Sequence, residues 1–157
     1  MSTLVLGIGN TLLSDEGVGV HVVRHLATHH QDLPDVELLD GGTLSFTLAE
    51  AIARHQSLLV VDAARLGEPP GAVRCLEGEA MERYLAGSRG SVHEVGLSDL
   101  FDIARLSDTL PPQRALIGIQ PAHIGWGEAP SAPVAAAIPV AARQALELLR
   151  RWASHAT

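Results

Sequence analysis

Apolar residues along the chain occur in short runs that alternate with longer segments of helical periodicity. The runs predict strands at 3–8, 36–40, 57–63 and 114–120, with an edge strand at 72–76. Apolar positions at helical spacing, bounded by Gly and Pro breaks, predict helices at 16–29, 44–54, 79–85, 96–105 and 138–153. In the last helix Pro139 is placed in the first turn, where its missing N–H costs no hydrogen bond.

Strands that alternate with helices predict an α/β fold, with a three-layer, open, mostly parallel sheet covered by helices on both faces. The length of 157 residues is that of one domain, and we expect a single domain over 1–157. No internal repeat or long linker interrupts the pattern. In such a sheet, ligands bind beyond the carboxyl ends of the strands.

The composition excludes several classes of function. The chain has no lysine, so Schiff-base chemistry and a Walker A phosphate loop are excluded. A net charge of −7 without a basic patch argues against nucleic acid as a partner. The lone Cys75 excludes an internal disulfide, and neither a leader nor an apolar run of about 18 residues stands out. A lone thiol suits a reducing cytoplasm, so we expect a cytoplasmic protein that does not enter a membrane, and a monomer is the default expectation.

Polar residues follow the predicted strands at the carboxyl edge of the sheet. Glu16 comes after the first strand, Asp40 ends the second, Asp62 ends the third, and His93 lies on a later loop. Carboxylate and imidazole donors from separate loops suit zinc or nickel, with positions left for water or substrate. Gly17 and Gly19 leave room for a close approach beside Glu16.

Each of these residues also has a structural interpretation. Asp62 could cap the next segment, and Asp40 could be a turn aspartate that binds its own backbone. Glu16 would be favoured by the helix dipole in a first helical turn, for which Ser14 or Asp15 is the expected N-cap. The histidines of the first helix are expected to form a solvated face: His21, His25, His29 and His30.

Two other catalytic patterns are absent from the sequence. The segment from Gly7 to Leu12 does not complete a Gly-x-Gly-x-x-Gly dinucleotide loop, because its sixth position is leucine. No Gly-x-Ser-x-Gly nucleophile elbow exists. Cys75 has no assigned base partner and is expected to be inert.

Five segments, taken in order, resemble the nickel-iron hydrogenase maturation proteases. They are Gly7-Ile8-Gly9-Asn10 with Leu13-Ser14-Asp15-Glu16-Gly17-Val18-Gly19-Val20, Asp40-Gly41-Gly42-Thr43, Val60-Val61-Asp62-Ala63, Ser91-Val92-His93-Glu94 and Gly118-Ile119-Gln120-Pro121-Ala122. The resemblance implies a cytoplasmic endopeptidase that removes the C-terminal extension of a hydrogenase large-subunit precursor after nickel insertion.

The resemblance also implies residue roles. Glu16, Asp62 and His93 correspond to the metal-contacting residues of the family, and Asp40 corresponds to the aspartate of its Asp-Gly-Gly-Thr motif. The hypothesis is that nickel held by the precursor completes the coordination shell, although a protein-bound zinc is an alternative. Asp40 is then the candidate general base or water-positioning group, which makes an aspartyl-type or a metal-dependent endopeptidase the two options.

Two rival functions predict different behaviour. A non-proteolytic nickel-binding maturation chaperone would bind metal tightly and cleave nothing. A small-molecule hydrolase or phosphorylase on a similar fold would need no protein partner. For the protease, the surface that grips the precursor is expected to include Leu12, Leu13 and Trp126, which are apolar residues close to the candidate site.

Overall fold

Five strands form one sheet in the order β2-β1-β3-β5-β4. They are β1 (Thr3–Ile8), β2 (Val36–Gly42), β3 (Ser57–Ala63), β4 (Val73–Glu77) and β5 (Gln113–Ile119). This is a computed structural model that describes residues 2–42, 47–87 and 97–155. The first three strands and β5 are parallel, and β4 pairs antiparallel with β5 at the edge. The predicted open, mostly parallel sheet is confirmed.

Helices cover both faces of this sheet and divide the apolar core into two clusters. The elements are a 3-10 turn (Asp15–Gly17), α1 (Val18–His29), α2 (Leu48–Ala53), α3 (Glu79–Gly87), α4 (Leu97–Leu106) and α5 (Ala132–His155). Helices α1 and α5 pack on one face, while α2, α3 and α4 pack on the other. Helix α5 is long and apolar enough to cross a membrane, but one side of it is buried against the sheet and α1.

The largest disagreement with the predicted elements concerns α5. It begins at Ala132 rather than residue 138, so Pro139 lies inside the helix and not in its first turn. The first turn contains Pro133 instead, a position where proline sacrifices no helical hydrogen bond. The helix continues through Pro139 because Val134, Ala137 and Ala141 are buried against the sheet.

The second strand is also longer than predicted. It runs through Asp40 to Gly42, and the pairing with β1 skips Gly41, which therefore forms a bulge. Gly42 adopts a φ of 56°, a conformation that favours glycine. Asp40 is consequently part of the strand and does not follow it. Helix α2 begins at Leu48, and the preceding residues 43–46 lie outside the described part of the chain.

The first helix approaches the sheet closely enough to require glycine. A Cβ on Gly19 would lie 2.0 Å from the Val61 carbonyl oxygen and 2.6 Å from that of Ile8. A Cβ on Gly7 would lie 2.5 Å from the Gly19 carbonyl oxygen. The space beside Gly19 is thus taken by the sheet backbone, and this contact brings the start of α1 down onto the ends of β1 and β3.

We predict that Gly19→Ala destabilises the protein by about 2–3 kcal/mol, because backbone must move to admit the methyl group. Alanine's higher helix propensity, worth up to about 1 kcal/mol, offsets only part of this cost. Gly87→Ala in α3 is the matched control, since a Cβ there has nothing within 4 Å. Urea denaturation of both variants checks the prediction, and equal midpoints would contradict it.

Candidate functional site

The buried carboxylate of Asp15 joins two loops at the carboxyl edge of the sheet. Asp15 has no exposed surface. Its Oδ2 accepts hydrogen bonds from the N–H groups of Ala122 at 2.8 Å and His123 at 2.9 Å, and from the Ser131 hydroxyl at 2.7 Å. Its Oδ1 accepts the Ser131 N–H at 2.6 Å. The loop after β5 is thereby fastened to the 3-10 turn that follows β1.

The charge of Asp15 is favoured in this setting. Burial would raise its pKa, but the hydrogen bonds from His123, Ser131 and Ala122 outweigh burial and bring the pKa below its usual value. The group therefore stays ionised at neutral pH and holds its donors as a carboxylate. Asp15 lies inside the 3-10 turn, and neither this turn nor α1 has a side-chain capping bond, so the prediction of Asp15 as the N-cap of the first helix is wrong.

Backbone pairing reinforces the same junction. Leu13 bridges Gly127, and Ser14 bridges Ile124. The Ser14 N–H donates to the Gly127 carbonyl at 2.8 Å, and its hydroxyl donates to the Gly125 carbonyl at 2.8 Å. Ser14 precedes the 3-10 turn without a side-chain capping bond, so its expected capping role is also wrong.

The junction between the two loops passes over the end of β3, the central strand, and Glu16 is part of this junction. Because β3 separates β1 from β5 in the sheet, loops that meet from β1 and β5 must pass above the end of β3. The 3-10 turn contacts β3. Glu16 is 3% exposed, and its Oε2 accepts the Asn10 N–H at 2.7 Å. A buried, oriented carboxylate thus stands beside the strand that carries Asp62.

Asp62 lies near the end of β3, opposite Gly118 of β5. It is partly buried, and Tyr84 of α3 is its electrostatic neighbour. The pKa of Tyr84 is raised by its burial and by the negative charge of Asp62, against opposing effects of Arg65. Tyr84 is therefore a neutral phenol at the site. No signal in the sequence points to Tyr84, because only the fold brings α3 to the end of β3.

Asp40 lies on the opposite face of the sheet from Asp62. It pairs in register with Gly7, whose Cβ position faces α1. Asp62 alternates with Val61, which packs in the α1 cluster, and so it points toward the α3 side. Because successive side chains of a strand point to opposite faces, the candidate base Asp40 and the candidate ligand Asp62 lie on opposite sides of the sheet.

The Asp40 carboxylate is held by two donors. Its Oδ1 accepts the Gly42 N–H at 3.0 Å, which is the turn-like backbone contact considered for it above. Its Oδ2 accepts from the Arg24 guanidinium at 3.2 Å. Both side chains of this ion pair are about half exposed. Asp40 is therefore positioned by α1 and by its own bulge.

His21 is an electrostatic neighbour of the Asp40–Arg24 ion pair, although the sequence pattern predicts a solvated position for it. Its Nε2 is buried and has no hydrogen-bond partner within the described part of the chain. Burial lowers its pKa, the charge of Arg24 lowers it further, and Asp40 acts in the opposite direction. The expected solvated face is therefore wrong at His21, which is a partly buried imidazole whose lowered pKa favours the neutral form. His29 does conform, since it is exposed and stacks on His25 with ring centroids 4.2 Å apart.

The fourth predicted residue, His93, lies outside the described residues, which omit 88–96. Within 2–42, 47–87 and 97–155, no three His, Cys, Asp or Glu side chains are grouped to hold a metal ion. The described chain thus presents Glu16 and Asp62 at one edge of the sheet, with Asp40 on the α1 face.

Cys75 does not have the properties of a nucleophile. It lies half-buried in the edge strand β4. Burial and the charge of Glu77 raise its pKa to about 11, against a smaller opposite effect of Arg151. The thiol is protonated at neutral pH, in agreement with the expectation that it is inert.

Comparison with known proteins identifies the class of protein to which this chain belongs. The family model described as hydrogenase maturation protease matches residues 20–148. The chain is 36% identical over 150 residues to the hydrogenase expression/formation protein HoxM of Cupriavidus necator, covering 95% of this chain and 74% of that protein. It is 35% identical over 156 residues to the hydrogenase 2 maturation protease of Escherichia coli, covering 96% and 92%.

The solved structures agree with this result. The hydrogenase maturating endopeptidase HybD of Escherichia coli superposes with a TM-score of 0.89 at 32% identity, covering 96% of this chain and 93% of that one. The maturation protease HybD of Thermococcus kodakarensis gives a TM-score of 0.74 at 26% identity, covering 95% and 99%. The chain belongs to the hydrogenase maturation protease family and is a peptidase. The role of that family is C-terminal processing of the hydrogenase large subunit.

We predict that Asp15→Asn lowers the free energy of unfolding by about 2–3 kcal/mol at pH 7, because buried donors lose a charged acceptor. A depressed carboxyl pKa stabilises the fold above the unfolded-state value of about 3.9, and the benefit is lost as the pH falls through the folded-state value. The difference between wild type and variant should therefore shrink below about pH 4. Asp32→Asn, at an exposed carboxylate, is the control. Urea denaturation at pH values from 7 to 3 measures the difference in free energy of unfolding between wild type and Asp15→Asn. A difference that does not depend on pH would contradict the prediction.

Proposed function

We propose that this protein removes the C-terminal extension of a nickel-iron hydrogenase large-subunit precursor after nickel has been inserted, and that the nickel itself is what it recognises. The observation that carries the proposal is the buried Glu16 carboxylate, oriented by Asn10 and held above the end of β3 by the Asp15 junction. The hydrogen bond from Asn10 offsets part of the cost of burying this carboxylate and fixes its orientation at the edge of the sheet where ligands bind.

Glu16 and Asp62, together with His93, are the proposed contacts to the precursor's nickel. Their carboxylate and imidazole donors suit a borderline divalent metal such as nickel, and they suit zinc equally. In the precursor the nickel is held by cysteine thiolates, so these three donors need only complete its shell. A resident zinc ion remains the alternative occupant of the same donors.

This arrangement makes the metal a condition for cleavage. A precursor without nickel offers no cation to the Glu16 and Asp62 carboxylates. A loaded precursor brings a cation that offsets both charges. The bound metal would polarise the scissile carbonyl or activate a water beside it.

For Asp40 we propose a positioning role on the α1 face. Its two oxygens already accept from Gly42 and Arg24, which fixes the carboxylate in one orientation. Its separation from Asp62 across the sheet favours contact with the substrate chain or an attacking water over contact with the metal. The catalytic type, aspartyl or metal-dependent, follows from which of these contacts is made.

The remaining parts of the proposal concern the setting. The proposed partner is the large-subunit precursor, and we propose that this protein acts on it in the cytoplasm as a monomer. Its net charge of −7 gives it no attraction to nucleic acid or to an anionic membrane surface.

Intact-mass spectrometry tests the proposal directly. Each nickel-iron hydrogenase large-subunit precursor of the host is mixed with this protein, with and without inserted nickel. Loss of one C-terminal peptide from one precursor, only in the nickel-loaded form, is the expected result. Tight nickel binding without cleavage would support a maturation chaperone instead, provided that a known maturation protease cleaves its own precursor in parallel.

We predict that Glu16→Gln and Asp62→Asn each reduce processing at least about 100-fold, because a neutral amide is a poor ligand for a divalent cation. His93→Ala should do the same. Glu50→Gln, at an exposed carboxylate on α2, is the control and should process normally. Circular dichroism verifies that each variant is folded. Normal processing by folded Glu16→Gln and His93→Ala would refute the metal contact.

A further inference from the structure

Large apolar side chains on the surface are concentrated beside the candidate site. Among the described residues four are exposed: Leu12 by 49%, Leu106 by 90%, Ile124 by 36% and Trp126 by 84%. Leu12, Ile124 and Trp126 belong to the two loops that Asp15 and the backbone bridges join. We call these three residues the apolar platform. Leu106 ends α4, away from this junction.

The backbone beneath the platform is held in place. The Gly127 N–H donates to the Leu12 carbonyl at 2.9 Å, and Ser14 and Gly127 form the reverse bond. Gly127 has a φ of 159° and leaves the Ser14 hydroxyl only 2.7 Å from where a Cβ would stand. The platform therefore meets a partner with its main chain already ordered, and little backbone entropy remains to be lost on binding.

The platform is continuous with the candidate site. The Leu12 N–H donates to the Asn10 side chain at 2.9 Å, and the Asn10 N–H donates to Glu16. The Asp15 N–H donates to the His123 carbonyl at 3.2 Å, one residue before Ile124. An extended peptide advances about 3.3 Å per residue, so only a few substrate residues separate the platform from Glu16.

We infer that the apolar platform, centred on Trp126, grips an apolar stretch of the precursor polypeptide a few residues from the cleaved bond and thereby selects the precursor. This inference rests on the proposed function. Exposed tryptophan in a fixed setting is typical of residues that dominate binding energy at protein interfaces. The adjacent acidic groups, including Glu128, disfavour an anionic lipid surface as the occupant.

Kinetics of precursor processing distinguish this role from a structural one. Trp126→Ala should raise KM about tenfold and leave kcat within about twofold, because the platform binds the substrate but does not touch the reacting atoms. Leu106→Ala is the matched control: it also truncates an exposed apolar side chain and should change neither constant. An unchanged KM in Trp126→Ala, with wild type active, would overturn the inference and leave the proposed function intact.

A binding measurement tests, without requiring cleavage, whether the precursor contacts the platform at Trp126. The chain has two tryptophans, the exposed Trp126 and the buried Trp152, so 5-fluorotryptophan labelling gives one reporter in the platform and one in the core. Unlabelled, nickel-loaded precursor should change the chemical shift of the Trp126 fluorine resonance and leave the chemical shift of Trp152 unchanged. Trp126→Phe assigns the two signals.

The remaining outcomes are equally decisive. If the Trp126 resonance shifts but no precursor is cleaved, the platform does bind the precursor, and only the proposed function is contradicted. If the resonance changes with protein concentration in the absence of precursor, the occupant is a second copy and the inference is wrong. If the Trp126 resonance does not change in the presence of a precursor that is cleaved normally, the inference is also wrong.

Discussion

The buried carboxylate of Asp15 is the interaction on which the functional edge of this protein depends. Parallel strands β1 and β5 are not neighbours, and only their loops can close the edge between them. Asp15 closes it by accepting donors from Ala122, His123 and Ser131. Glu16 lies on this junction, and Asp62 lies near the end of the strand that the junction crosses.

A second constraint sets the height of that junction above the sheet. Glycine at position 19 allows α1 to touch the carbonyl oxygens at the ends of β1 and β3, so the 3-10 turn before α1 lies against β3. Glu16 is buried as a consequence. A bulkier residue at position 19 would lift the helix and carry the candidate ligand away from Asp62. The packing of α1 and the position of Glu16 are thus coupled through one backbone contact.

Much of the fold could be predicted from the sequence because its signals are local. Apolar runs identify the five strands, and because the carboxyl ends of parallel strands share one edge, Glu16 is expected near the strand of Asp62, which the contact of the 3-10 turn with β3 bears out. The ligand roles of these residues stay predictions. The role of Asp15 could not be predicted, since its donors lie more than 100 residues away. The burial of His21 and the pairing of Arg24 with Asp40 depend on how α1 is rotated over β2. Pro139 misled the prediction because tertiary burial of α5 outweighs the local preference of proline.

The central claim of this account is that the protein adds ligands to the nickel of its own substrate. X-ray absorption at the nickel edge measures this most directly, on loaded precursor alone and on precursor frozen rapidly with the protein. The account predicts that nitrogen or oxygen scatterers at about 2.0–2.2 Å appear only in the mixture and are lost with Glu16→Gln. An unchanged nickel shell in a mixture that goes on to cleave the precursor would contradict it.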